Sequence, residues 1–189
     1  MKSVLISIHP KWCELIVSGE KTIEVRKSRP KIETPFKCYI YETKARSDMP
    51  TFVDEDGHTL YTGYTGRGQV IGEFVCDKIY DIEPHYDIPN FCNQYIRGWK
   101  FGDGEPCLSF AELGAYLGGK HGYGWHISDL KIYDKPKELG SFWKAGKCPY
   151  ASESGCAYEY HCFRSGQTQR CGETLTRPPQ SWCYVEVLQ

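Results

Sequence analysis

Short apolar segments of strand length run through the chain, and only two segments show the helical spacing of apolar residues. The strand-like segments are bounded by Gly, Pro and charged residues, and they do not alternate regularly with helices. This pattern argues against a doubly wound parallel sheet and predicts an α+β protein built on a small mixed β-barrel with short flanking helices. The main predicted strands cover residues 3–8, 22–26, 37–43, 68–82, 124–136 and 181–188.

Two short helices are predicted from their apolar spacing and their end signals. The first covers residues 10–18, begins at a proline and is stopped by Gly19. The second opens with a capping-box pattern at Ser109 and is ended by Gly118 and its neighbouring glycine. The segments 44–67 and 83–107 are predicted to be irregular, the former as a polar loop or irregular hairpin.

The chain of 189 residues is long enough for one good core, so residues 1–189 are predicted to form a single domain. The net charge of -1 leaves no marked basic excess, which excludes extensive coating of a nucleic acid and predicts a local contact with one base or nucleotide. Neither a signal peptide nor a membrane-length apolar run is present, and a cytoplasmic location without membrane contact is therefore expected.

The segment Thr22 to Arg26 alternates strictly between apolar and polar residues directly after the first helix. Ile23 and Val25 are predicted to face one way, and Glu24 and Arg26 to face the other, with Lys21 at the strand entrance. From spacing alone, two interpretations remain open. The charges belong either to a solvent-exposed strand edge with weak ion pairs or to a binding site.

Three motifs in the same order resemble the ASCH domain, a member of the PUA-like superfamily, of bacterial and phage type. The first is the G-x-K-x-x-E-x-R pattern formed by Gly19, Lys21, Glu24 and Arg26. The second is residues 66–79, which resemble the central strand of such domains, and the third is residues 124–139 together with 178–187, which resemble their closing segment.

This resemblance implies a PUA-like barrel whose cleft, beside the first helix, binds RNA or a modified nucleotide. Glutamate is suited to accept from a base edge, the two cations are suited to phosphate or ribose oxygens, and an aromatic ring is suited to stack on a base. The ligand-binding candidates are Trp12, Lys21, Glu24, Arg26, Tyr41, Glu73 and Trp125. For the two tryptophans, ordinary core packing is the alternative.

A branch of small ASCH-like proteins is associated with amide hydrolysis on acylated, for example acetylated, cytidine by a lysine, a threonine and a glutamate. Lys21 matches the lysine, but Glu24 stands where the threonine is expected, and Glu73 is a candidate for the carboxylate. A small hydrolase with Lys21 and Glu24 as catalytic residues is therefore the alternative function, and whether the protein is an enzyme stays open.

A cysteine-rich insertion at residues 147–172 is the second candidate site. Its cysteines have the spacing C-x7-C-x5-C-x8-C, in a segment too polar to form a core of its own, and we expect them to bind structural zinc. The predicted ligands are Cys148, Cys156, Cys162 and Cys171, with His161 as an alternative donor. Disulfides or free thiols remain the alternative, as does a finger that docks a protein partner.

Overall fold

The computed structural model describes residues 3–53, 59–85, 93–97, 104–144, 151–152, 155–156 and 174–187. The predicted α+β class is confirmed, with two helices, α1 (Pro10–Val17) and α2 (Phe110–Leu117), among many strands. The strands are β1 (Ser3–Ile8), β2 (Ile23–Arg26), β3 (Phe36–Glu42), β4 (Arg46–Val53), β5 (Thr59–Thr65), β6 (Val70–Cys76), β7 (Ile79–His85), β8 (Asn93–Arg97), β9 (Gly122–His126), β10 (Ser128–Lys137), β11 (Phe142–Lys144), β12 (Ala151–Ser152), β13 (Gly155–Cys156) and β14 (Trp182–Val187).

Two larger sheets carry the fold. One has six strands in the order β10-β6-β3-β1-β14-β11, in which only β1 and β3 are parallel. The other has four antiparallel strands in the order β2-β9-β7-β8. Two small hairpins, β4-β5 and β12-β13, complete the described strands.

The prediction of a barrel is corrected by this topology, because the described ranges form open sheets and contain no closed barrel. Two segments that the sequence predicts as single strands each divide between the sheets. Residues 68–82 divide into β6 and β7, and residues 124–136 divide at Ile127 into β9 and β10. The strand pairing is therefore interrupted at the two points where the chain passes from one sheet to the other, between β6 and β7 and between β9 and β10.

Both helices begin and end as predicted. Pro10 occupies the first turn of α1, His9 Nδ1 accepts a hydrogen bond from the Lys11 amide, and Gly19 follows with a positive φ of 81°. In α2 the Ser109 capping box is complete, and Gly118 adopts the left-handed conformation that ends the helix. None of the described helices is both long and apolar enough to cross a membrane.

Two segments predicted to be irregular contain regular strands. Within 44–67, β4 and β5 form an antiparallel hairpin. Within 83–107, β7 continues to His85 and pairs with β8. Their polar, glycine-rich and proline-containing sequences lack the regular apolar–polar alternation from which the other strands are predicted.

The core divides into three clusters, and the central strand β1 contributes to two of them. Val4, Ile6 and Ile8 pack with α1 and Trp125, whereas Leu5 packs on the other face of the sheet with Phe142. The third cluster lies between β2, β7 and α2 and is formed by Ile23, Val25, Tyr80, Ile82, Leu113 and Leu117. Packing of β2 against α2 fixes the strand that carries the candidate site.

Candidate functional site

Strand β2 presents its polar residues to a cleft while its apolar residues anchor it, as the alternation predicts. Ile23 and Val25 are buried in the cluster with α2. Glu24 and Arg26, also buried, line the cleft together with Lys21. The three charged side chains are therefore a buried cluster rather than a solvent-exposed edge.

Lys21 is almost fully buried, and its ammonium group is held by the backbone. Its Nζ donates to the carbonyl of Ile23 at 2.8 Å and to that of Pro106 at 2.5 Å, and it lies 3.6 Å from Glu24 Oε2. The ring of Trp12 lies 5.2 Å from the same nitrogen. Lys21 therefore connects β2 to the segment before α2 and faces Glu24.

Arg26 bridges the two sheets at the floor of the cleft. One terminal nitrogen donates to the Ser7 carbonyl of β1 at 2.6 Å and lies 2.9 Å from Glu24 Oε1. The other lies 3.5 Å from the Ser181 hydroxyl, at the entrance of β14. The guanidinium thus holds the Glu24 carboxylate on the side opposite to Lys21. Its planar set of N–H donors suits simultaneous contact with two oxygen acceptors.

Two polar atoms of the cluster remain without a hydrogen-bond partner among the described residues, namely Glu24 Oε2 and Arg26 Nε. Desolvating charged groups costs several kcal/mol per ion, which pairing offsets only when the remaining polar atoms are also satisfied. Glu24 Oε2 has only its ion pair with Lys21 Nζ, and Arg26 Nε has no partner among the described residues, so both atoms retain hydrogen-bonding capacity for a polar ligand in the cleft.

The cleft has a volume of about 730 Å³ and is bounded by parts of the chain that are distant in sequence. Trp12 and Tyr116 contribute aromatic rings from the two helices, and Pro178 and Pro179 contribute an apolar wall before β14. Burial raises the pKa of Tyr116, and the positive charge of Arg26 opposes that rise. Tyr116 therefore lies beside the charged floor, yet its side chain is 40% exposed.

Three predicted ligand-binding residues do not line the cleft. Trp125 is fully buried, and its ring packs at 5.8 Å from Phe36 and 5.9 Å from Trp182. It is the cross-strand neighbour of Glu24, so it supports the floor instead of forming a wall. Tyr41 is buried in the cluster around Leu5 and Phe142 because its side chain leaves β3 toward that face.

Glu73 belongs to a separate surface cluster. Its carboxylate binds Lys37 Nζ at 2.9 Å and the Tyr133 hydroxyl at 2.5 Å. Burial raises the pKa of Glu73, but the hydrogen bonds from Tyr133 and Lys37 outweigh that effect and lower it. Glu73 thus has both carboxylate oxygens hydrogen-bonded, and it lies apart from the cleft that Lys21 lines.

The predicted zinc ligands fall almost entirely outside the described residues. Cys148, Cys162 and Cys171 lie there, as does His161, and of Cys156 only the backbone, in β13, is described. In the part of the chain that the structure describes, no group of three metal-binding side chains comes together. The zinc site and the insertion at 147–172 therefore stay predictions.

Nucleophilic chemistry is not favoured at the described cysteines. Burial raises the pKa of Cys76 to about 12 and raises that of Cys13, beside the cleft, still further. A thiol with a raised pKa is a poor nucleophile at neutral pH. Both residues are small core side chains.

The sequence interpretation missed most of the wall residues, because they come from other elements. Ser7, His9, Thr43, Leu108, Glu112 and Gln180 also line the cleft. The hydroxyl of Thr43 is buried without a partner among the described side chains. The sequence signal that Thr43 lines the cleft is its position directly after β3. This position lies at the same end of the sheet as His9, the N-cap of α1.

Fold and site together define an open two-sheet α+β protein with a buried charged cluster in a cleft beside its first helix. The ASCH domain family matches residues 6–101, which are 96 of the 189 residues. The chain therefore belongs to the ASCH domain family. Its predicted place in the wider PUA-like superfamily stays a prediction.

Crystal structures of the ASCH protein from Zymomonas mobilis have a similar fold. A tyrosine-to-phenylalanine variant is 18% identical, with a TM-score of 0.51 over 100% of this chain and 91% of that chain. The structure of the protein without this substitution is also 18% identical, with a TM-score of 0.50 over 99% of this chain and 87% of that chain. At this identity the similarity concerns the fold. No curated protein matches the sequence.

Proposed function

We propose that the protein binds RNA or a modified nucleotide in the cleft, with Glu24 and Arg26 as the contacting charged groups. The observation that carries this proposal is a pair of buried atoms without a hydrogen bond among the described residues, Glu24 Oε2 and Arg26 Nε, in the floor of a cleft of about 730 Å³. Membership of the ASCH family, which is thought to bind RNA, supports the ligand class.

The charge balance of the cleft favours a base over a phosphate as the occupant of its floor. Lys21 and Arg26 carry two positive charges, and Glu24 and Glu112 carry two negative ones. A neutral ligand with neighbouring donors and acceptors complements such a floor, because glutamate accepts from base N–H groups and arginine donates to base oxygens or nitrogens.

The two aromatic residues differ in what they offer to a base. Trp12 is packed against the core and has Lys11 Nζ at 4.6 Å and Lys21 Nζ at 5.2 Å from its ring. Tyr116 is considerably more exposed, and it lines the cleft beside Arg26. We therefore assign base stacking to Tyr116, since a base bound singly is usually held on an aromatic face.

Lys21 acts as a positioning residue in this proposal. Two of its three N–H donors are used by the carbonyls of Ile23 and Pro106, and the third side of the ammonium group faces Glu24. Its charge holds the Glu24 carboxylate in place, and its hydrogen bond to the Pro106 carbonyl holds the segment before α2 against β2.

The test is a calorimetric titration with a random-sequence RNA hexanucleotide, comparing the native protein with Tyr116→Ala. Loss of stacking is expected to weaken binding by roughly 5- to 150-fold, which corresponds to about 1–3 kcal/mol per stacked base. Glu24→Gln is the second variant, because it keeps the shape of the side chain but removes the acceptor charge.

Val17→Ala is the matched control, since Val17 is 51% exposed on α1 and does not line the cleft. The control is expected to bind like the native protein. Equal affinities for the native protein, Tyr116→Ala and a folded Glu24→Gln would remove the cleft from the proposed function.

Amide hydrolysis on acetylated cytidine is the second candidate, and the position of Thr43 favours it. The threonine expected at the position of Glu24 is absent, but Thr43 brings a buried, unpartnered hydroxyl into the cleft that Lys21 lines. Release of cytidine from N4-acetylcytidine, with loss of turnover in Thr43→Val, is the expected result. No release above the buffer rate by the native protein would dismiss this candidate.

We also propose that the insertion at 147–172 binds one structural zinc ion through its four cysteines. Its sequence supports this proposal, because four thiols in a polar segment supply a tetrahedral donor set. Metal analysis of the purified protein is expected to find one zinc per chain, reduced in Cys156→Ser and unchanged in Cys183→Ser. A full zinc content in Cys156→Ser would refute this set of ligands.

A further inference from the structure

A second groove begins where β2 leaves the cleft. The residues after Arg26 read KSRPK, and we call Lys27–Lys31 the basic segment. A groove of about 510 Å³ is lined by the whole basic segment together with Ile32, Glu33 and Tyr123. None of the residues predicted to bind the ligand lines this groove.

The three cations of the basic segment are exposed and have no carboxylate partner within 4.0 Å among the described residues. Each of Lys27 and Arg29 lies near an aromatic ring, the former 5.1 Å from Tyr116 and the latter 6.0 Å from Tyr123. Three exposed positive charges within five residues, beside the single carboxylate of Glu33, give the groove a local positive potential that attracts an anionic partner.

The backbone of the basic segment is fixed although its charges point to solvent. The amide of Lys31 donates to the Tyr184 hydroxyl at 2.6 Å, and Trp182 Nε1 donates to the Ser28 hydroxyl at 3.1 Å. Pro30 is buried. These contacts tie the segment to β14, and a segment held in this way loses little further backbone entropy when it binds a ligand.

Tyr116 connects the groove with the cleft. Its ring lines the cleft next to Arg26, while Lys27 Nζ lies 5.1 Å from the same ring. Arg26 and Lys27 are also consecutive in the chain. A ligand whose base stacks on Tyr116 therefore has its backbone within reach of the basic segment.

We propose that the cleft takes one nucleotide of a longer single-stranded RNA whose adjoining phosphates lie along Lys27, Arg29 and Lys31. This inference rests on the proposed function and names its substrate as a strand rather than a free nucleoside. It also agrees with the net charge of -1, because three phosphate contacts need a local positive charge and no overall basic excess.

The experiment measures the affinity for a random-sequence RNA hexanucleotide over a series of salt concentrations. The native protein is compared with the triple variant Lys27→Gln, Arg29→Gln, Lys31→Gln. Each lost phosphate contact lowers the slope of log affinity against log salt by about 0.7 on single strands, so a decrease of about 2 is expected. That slope corresponds to an affinity roughly 100-fold weaker at about 0.1 M salt.

The matched control removes three exposed lysines that line neither hollow, as Lys131→Gln, Lys135→Gln, Lys144→Gln. It changes the net charge equally and is expected to keep nearly the native affinity and salt slope. Equal loss in this control would overturn the groove, because the effect would then come from net charge alone. So would native affinity and slope in the basic-segment variant.

Nucleoside 5′-monophosphates separate this inference from the proposed function. We expect the basic-segment variant to bind cytidine, uridine, adenosine or guanosine monophosphate within a few-fold of the native protein, since the base contacts remain. If that variant binds the RNA strand weakly while Tyr116→Ala and Glu24→Gln bind it with native affinity, the proposed role of the cleft is refuted and that of the groove is retained. Native strand binding by that variant together with loss in Tyr116→Ala would refute only the groove.

Discussion

The protein contains two clusters in which a glutamate joins a lysine and a further polar side chain, and they differ in what remains unpaired. In the cleft, Lys21, Glu24 and Arg26 are buried, and Glu24 Oε2 and Arg26 Nε lack a hydrogen-bond partner among the described residues. In the surface cluster, Glu73 binds Lys37 through one oxygen and the Tyr133 hydroxyl through the other.

We use this difference to distinguish the proposed binding site from a structural contact. The side chain of Lys37 is 44% exposed, so water satisfies the N–H donors of its ammonium group that Glu73 does not bind, and no ligand is needed. The side chain of Glu24 is 7% exposed, and water cannot readily replace a missing partner there. A buried ion pair with unsatisfied hydrogen bonds therefore points to a binding site. The presence of an ion pair alone is weak evidence for such a site.

Neutralising the two glutamates in turn should give the largest contrast. Glu24→Gln leaves two buried cations without their counter-charge and is expected to lower the free energy of unfolding by about 3–5 kcal/mol. Glu73→Gln, which keeps much of its hydrogen bonding at the surface, is expected to cost about 1–2 kcal/mol. Urea unfolding of both variants checks this, and equal losses would show that burial does not distinguish the clusters.

Ligand-induced stabilisation should separate the clusters further. A hexanucleotide at about 100 times its dissociation constant is expected to raise the free energy of unfolding by about 2.7 kcal/mol in the native protein. Glu73→Gln should retain this gain, and Glu24→Gln should lose most of it. Denaturant unfolding with and without the RNA measures the gain, and the same gain in both variants would contradict binding at Glu24.

The pH dependence of Tyr133→Phe should give the smallest effect. The hydroxyl helps to lower the pKa of Glu73, so the stability that it contributes is present above the ordinary carboxyl pKa and is lost as pH falls through the lowered native value. The variant is expected to lose about 1.5 kcal/mol at neutral pH. Unfolding at about pH 3 should show a smaller difference between the two proteins, whereas a difference independent of pH would exclude the carboxylate as its source.

Local sequence patterns predicted the framework of the cleft well. The alternation in β2 correctly separates Ile23 and Val25 from Glu24 and Arg26, and the capping box at Ser109 correctly begins α2. These features succeed because strand periodicity and helix capping depend on residues only a few positions apart.

The sequence could not show where strand side chains lie relative to the cleft. Tyr41 and Glu73 lie in strands with suitable alternation, but alternation does not reveal which element covers each face. A closed barrel is not found among the described residues for a related reason, because the sequence does not show that the segments 68–82 and 124–136, each predicted as one strand, divide between two sheets.

By itself, the sequence determined the α+β class, the two helices and the placing of three charged residues around one strand. Only the tertiary structure decided that these charges are buried and incomplete, because that depends on Ser7 and Pro106, which are distant in sequence, meeting at β2. The tertiary structure also brought Tyr116 to the cleft. Burial and leftover hydrogen-bonding capacity are properties of the assembled surroundings, and no local pattern encodes them.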